Sequence, residues 1–158
     1  MAIPASIRKF VETHGVDFTP IHHRPAFTAQ EEASATHVPG REWAKTVVCI
    51  ADGTAVLALL PAHYRIDLAA MRAATGAHDV RLATEREFSG LYPECETGAM
   101  APFGPLYNQT VYMDEALARD PEIAFHAGTH VDAMRMTCAD FVNLVHPVPA
   151  RIAQRSMQ

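Results

Sequence analysis

Lysine is almost missing from this sequence: only Lys9 and Lys45 occur. The formal net charge of −5 argues against a broad basic face for duplex nucleic acid or an anionic membrane. A partner that presents only the end of a nucleic acid is still compatible. Cysteine is also scarce. Cys49, Cys95 and Cys138 lie far apart with no C-x-x-C pair, so neither a disulfide framework nor a zinc knuckle is expected, and a reducing cytoplasm fits. No long apolar run follows Arg8 and Lys9, which leaves no secretion signal and no membrane span to expect. Also lacking are a Walker loop, a Rossmann fingerprint, a G-x-S-x-G elbow and an H-E-x-x-H pair. A nucleotide-hydrolysing fold and a covalent serine hydrolase therefore have no support. Internal repeats and low-complexity stretches are lacking too.

The 158 residues, 49% hydrophobic and 20% charged, suffice for one sizeable core. Apolar spacing after Pro4 predicts a helix over 4–14 closed by Gly15. Residues 18–22 read as a strand that Pro20 confines to an edge. Thr28-Ala29-Gln30-Glu31 is a capping box opening a helix to about Thr36. Two β-branched, apolar runs, 43–50 and 55–60, flank Asp52-Gly53 and predict a central hairpin. A helix over 67–75 is capped by Asp67 and stopped by Gly76; a strand at 80–82 and a second capping box at Thr84-Glu87 follow. Strands are expected at 110–113, 123–126 and 131–136, with a helical turn at 114–118. A last helix from Thr137 through Leu144 ends at Pro147-Val148-Pro149. Residues 1–150 then form one α+β domain with a mixed sheet, and 151–158 a poorly ordered tail.

Between 93 and 105 the chain packs Gly98, Pro102, Gly104 and Pro105 among apolar residues. Such a loop is either a rigid connector packed on the core or a nest whose free amides meet an anionic or developing-anion ligand. Lys45, at the start of a strand and on the same face as Val47 and Cys49, is either a snorkelling strand-end charge or a cation at a pocket rim. Nine histidines raise the question of a metal. His126 and His130 stand four apart, but Gly128 and strand-like flanks speak against the helix that such a pair needs, so Gly128-Thr129-His130 reads as a turn presenting a hydroxyl and an imidazole. Cys95, between Glu94 and Glu96, should have a raised pKa and be a poor nucleophile.

In order and spacing, several segments resemble the YbaK and prolyl-tRNA synthetase-associated editing-domain family, which hydrolyses mischarged aminoacyl-tRNA. They are Phe27-Thr28-Ala29-Gln30-Glu31-Glu32, the run from Pro39 to Val48 with Lys45 and Thr46, the G-x-x-x-P loop Gly98 to Pro102 with Phe103-Gly104, Val111 to Asp114, and Ala127 to His130. The resemblance spans about 10–145 and implies a mixed, partly barrel-like sheet flanked by helices. It also implies roles. Lys45 would lie near the 3′-terminal adenosine and support catalysis, and the amides of Gly98, Ala99, Met100, Ala101 and Pro102 would form the loop holding the aminoacyl carbonyl. Phe27, Thr28, Thr46, Gly128, Thr129 and His130 would face the substrate. Water would be the nucleophile, with no metal and no cofactor, and activation would draw on the substrate's own ribose hydroxyl. Ala101 stands where a serine is frequent in the family, and His130 follows Thr129; both bear on which amino acid fits.

The implied partners are the acceptor end of an aminoacyl-tRNA and a synthetase, gripped by few cations such as Lys45, Arg24 and Arg41. The implied activity is trans-editing deacylation of a small amino acid. The alternatives are a hydrolase of another small acyl ester and a non-catalytic tRNA- or synthetase-binding module of the same fold.

Overall fold

The computed structural model describes residues 3–25, 31, 36 and 38–155. Phe27, Thr28 and nearly all of the helix expected over 28–36 lie outside the described residues.

Helix α1 (Ala5–Thr13) buries Ile7 and Val11, and Gly15 takes φ 68° just past its end. β1 (Thr19–His22) is an edge strand, as Pro20 requires. The hairpin is β2 (Ala44–Ala51) and β3 (Thr54–Pro61), turned by Asp52 and Gly53, both at positive φ. β4 (Tyr64–Ile66) leads to α2 (Leu68–Thr75), where the Asp67 carboxylate accepts from Ala70 N at 3.0 Å and Gly76 closes the helix at φ 75°. β5 (Val80–Leu82) precedes α3 (Glu85–Ser89), opened by the reciprocal Thr84–Glu87 box. After the Gly/Pro loop come β6 (Val111–Asp114), a 3-10 turn at Leu117–Arg119, β7 (Glu122–His126), β8 (Asp132–Thr137) and α4 (Cys138–Val145).

Five strands form a mixed sheet in the order β5-β2-β3-β6-β9, antiparallel around β2 and parallel from β3 through β6 to β9 (Val148–Ala150). A second sheet runs β1-β8-β7, and a bridge from Trp43 to Ala124 joins its β7 to the start of β2. The result is the expected α+β domain with a mixed sheet flanked by helices.

Alternation along β2 sends Ala44 and Val48 to one face, with Leu57 and Leu59 of β3. There they meet α1, α4 and the ring chain Phe10, Phe103, Phe125 and Phe141, whose successive centroids lie 5.3, 5.4 and 5.7 Å apart. Cys49, Ala51, Val56 and Ala58 face the other way, onto Met71 of α2 and Ile152.

The tail corrects the sequence reading. Residues 153–155, expected to be poorly ordered, form β10 (Ala153–Arg155), antiparallel to β4. The cause is Asp114, whose buried carboxylate accepts from Ile152 N and Ala153 N at 2.9 and 3.0 Å, while Ile152 sits fully buried under the sheet. β4, β9 and β10 are three-residue strands that no local pattern predicted.

Candidate functional site

Backbone hydrogen bonds locate an opening in β2. The Trp43 carbonyl accepts from Ala62 N at 3.0 Å, toward β3. The Glu42 carbonyl instead accepts from Ala124 N at 3.0 Å, beside β7. Further on, the Val48 carbonyl accepts from Ala83 N at 2.9 Å, and Asp52 N donates to the Asp79 carbonyl at 2.9 Å, both on the β5 side. In an antiparallel ladder these directions alternate with residue number, so even-numbered residues of β2 turn their main chain away from β3. β7 covers that outer edge at Glu42 and β5 covers it from Val48 onward. Thr46 falls between them.

A cavity of about 250 Å³ occupies this gap, lined by Lys45, Thr46, Val47, Val48, Leu82, Ala83, Phe88, Gly98 and Met100. Two segments far apart in the chain, the β2 lysine and the Gly/Pro loop, thus line one cavity. Lys45 is half-buried and its ammonium donates to the Tyr64 carbonyl at 2.6 Å. Burial holds its pKa below the ordinary lysine value, and the positive charge of Arg65, next along β4, pushes the same way. Arg65 is exposed and has no ion-pair partner among the described residues.

The Gly/Pro loop is packed on the core, as a rigid connector would be. Its side chains pack: Ala99, Met100, Ala101 and Phe103 are buried in the main core. Its amides divide. Ala99 N donates to the Glu96 carbonyl at 2.9 Å, and Pro102 has no N–H. The N–H groups of Gly98 and Met100 have no partner among the described residues, and these two residues line the cavity. Cys95 meets the Tyr107 hydroxyl through its sulfur at 3.7 Å. Its thiol pKa is raised, chiefly by burial and only weakly by Glu94, where sequence reasoning credited the acidic neighbours.

Gly128-Thr129-His130 is a turn between β7 and β8, and it braces the loop from behind. Gly128 N donates to the Ala99 carbonyl and Glu96 N to the Gly128 carbonyl, each at 2.8 Å. His130 N donates to the Glu96 carboxylate at 2.6 Å, and the His130 ring Nε2 meets the Thr97 carbonyl at 2.9 Å. Gly128 sits at φ 99° with Pro4 of the α1 entry so close that a Cβ would come within 2.5 Å of it. The Thr129 hydroxyl donates to Asp132 at 2.6 Å and is buried. None of the three lines the cavity.

Of the other residues singled out, Thr46 lines the cavity, whereas Ala99, Ala101 and Pro102 do not. Arg24 is exposed, and Arg41 is engaged by Asp120 at 3.5 Å and Glu42 at 3.8 Å. Sequence reasoning missed Leu82, Ala83 and Phe88, which reach the cavity only because β5 ends where it does, and Glu96, whose contacts span more than thirty residues. His126 and His130 rings meet edge to face at 5.7 Å. Among the described residues no group of three His, Cys, Asp or Glu side chains is placed to hold a metal ion, and no helix is long and apolar enough to cross a membrane.

The sequence model of the aminoacyl-tRNA editing domain matches residues 23–144. Similar solved structures include a hypothetical protein at TM-score 0.85 and 20% identity, covering 94% of this chain and 99% of that one. Another, described as a proposed trans-editing enzyme for prolyl tRNA synthetase, superposes at TM-score 0.79 with 26% identity over 97% of this chain and 99% of its own. A third, described as a proposed signal transduction protein from Marinobacter aquaeolei, matches at TM-score 0.75 and 15% identity over 96% of this chain but only 31% of its own, so the same fold occurs there within a longer protein. The first and third show the fold alone. No curated protein matches the sequence.

Proposed function

Because the chain belongs to the aminoacyl-tRNA editing domain family, we propose that it is a trans-editing deacylase, hydrolysing the ester between a small amino acid and the 3′-terminal adenosine of a mischarged tRNA. The observation that carries this reading is the pair of unpartnered amides, Gly98 and Met100, in one 250 Å³ cavity with a half-buried lysine.

Ester hydrolysis concentrates negative charge on the carbonyl oxygen as water adds. Fixed N–H donors that meet that oxygen stabilise the tetrahedral species more than the substrate, which is what lowers the barrier. In this reading Gly98 and Met100 supply the donors, while Ala99 spends its amide holding the loop in shape. In the same reading Lys45, which lines the same cavity, is a donor to the terminal ribose, and its tie to the Tyr64 carbonyl fixes where the ammonium sits. The water proton passes to the leaving ribose oxygen, and the products are the free amino acid and a tRNA with its hydroxyl restored. No side chain forms a covalent intermediate: burial raises the Cys95 pKa, and Cys49 is buried with its pKa pushed up to about 11. Arg65 adds a second positive charge beside Lys45, in keeping with the phosphates of an acceptor end. A synthetase partner and a cytoplasmic location belong to the same reading.

A panel of mischarged tRNAs tests it. At least one small-amino-acid pair should be deacylated well above background, and Lys45→Ala should lower kcat/KM on that pair by about 100-fold, the scale of losing one donor at a developing oxyanion. Cleavage of acylated small molecules but of no charged tRNA would favour the other-ester hydrolase. Binding of uncharged acceptor ends without cleavage would favour the non-catalytic module.

A further inference from the structure

The gap in β2 has a chemistry of its own, apart from the carbonyl cradle. At Thr46 one extended residue turns both its N–H and its C=O toward the cavity, one donor and one acceptor side by side, where a neighbouring strand would otherwise sit. Main-chain groups facing an apolar cavity gain from partners, so an occupant of this slot should present an acceptor beside a donor. Around it the lining is apolar and includes one aromatic ring: Val48, Leu82, Ala83 and Phe88. Flat heteroaromatic rings stack on such surfaces.

We propose that the slot reads the adenine of the terminal nucleoside: the Thr46 C=O accepts from the exocyclic amine, the Thr46 N–H donates to the adjacent ring nitrogen, and Phe88 supplies a stacking surface. This rests on the deacylase reading above and adds to it the group that sets nucleoside identity. The competing occupant is the α-ammonium of the aminoacyl group. It carries donors only, and would leave the Thr46 N–H without a partner. Adenine satisfies both groups, and its edge is planar like the strand edge it replaces. Inosine inverts the pattern, with an acceptor oxygen where adenine has its amine and a ring N–H where adenine has a bare nitrogen, so both Thr46 groups would face their own kind.

The unmodified protein can be tested with acceptor-stem minihelices charged with one amino acid and ending in adenosine, inosine or purine riboside, which lacks the amine. Inosine and purine riboside ends should lower kcat/KM by at least about tenfold, the scale of one or two lost hydrogen bonds. Thr46→Pro removes an N–H that the β3 ladder does not use, and should shrink the adenosine preference. Equal rates on all three ends would overturn the proposal and leave the deacylase reading standing. Cleavage of none would overturn both.

Discussion

Gly98 holds φ 86°, a conformation that side chains with a Cβ rarely adopt, yet a Cβ built there meets only the His130 ring, at an ordinary 3.8 Å. Space is therefore not what glycine provides; backbone freedom is. Gly98→Ala should cost about 1–2 kcal/mol in local strain, which the loop can relieve by rotating the 98 amide out of place. We expect a small shift in melting temperature, roughly 2–8 °C, with kcat on the charged tRNA falling tenfold or more. Thermal melts beside single-turnover deacylation separate the two effects. A variant that keeps full kcat would remove the Gly98 amide from the mechanism. The residue types at this site were legible in the sequence: a lone lysine on a strand and a Gly/Pro loop are rare enough to stand out. Which amides stay free was not, because that depends on how the loop folds back to put the Ala99 amide on the Glu96 carbonyl.

At the scale of elements, what sequence could read was what is held locally. Asp52-Gly53, the Asp67 and Gly76 ends of α2, and the Thr84–Glu87 box are each closed by contacts within a few residues, so each appears where its pattern puts it. β4 and β10 are the opposite case. Neither has a pattern, and they form because Asp114, some forty positions before Ala153, holds the returning chain. Its Oδ1 takes the Ile152 and Ala153 amides and its Oδ2 takes Ala116 N at 3.1 Å. Asp114→Ala would leave these amides in a buried place without acceptors. The expected loss is about 3 kcal/mol of stability, with accelerated amide exchange over 152–155. Asp114→Asn, which keeps one acceptor oxygen, should lose less. Should exchange at 152–155 be as fast in the parent as in the alanine variant, the tail is not held by this carboxylate. The cavity has the same non-local origin, since it exists only where β7 stops covering β2 and β5 has not begun.

For the whole molecule, the cost of the architecture falls on a buried histidine. His126 closes β7 beneath Trp43, their rings edge to face at 5.7 Å, in the stretch that joins the two sheets and leads into the turn bracing the loop. Burial first, and then the nearby His130 and His23, press its pKa down to about 4. The unfolded chain regains a value near 6.5. Below pH 6.5 the unfolded state therefore binds a proton that the folded state refuses until about pH 4, and stability present above 6.5 is lost across that window. The size follows from the shift: roughly 2–3 kcal/mol between pH 7.5 and 4.5. Urea unfolding at the two pH values, compared with His126→Phe, isolates this group, because other titrations cancel in the difference. The parent should lose 2–3 kcal/mol more than the variant. Equal losses would mean that His126 takes up its proton in the fold at an ordinary pH. Activity should follow the same curve downward, since the β7 end and its turn carry the hydrogen bonds from Gly128 and His130 that keep the Gly98 and Met100 amides in place.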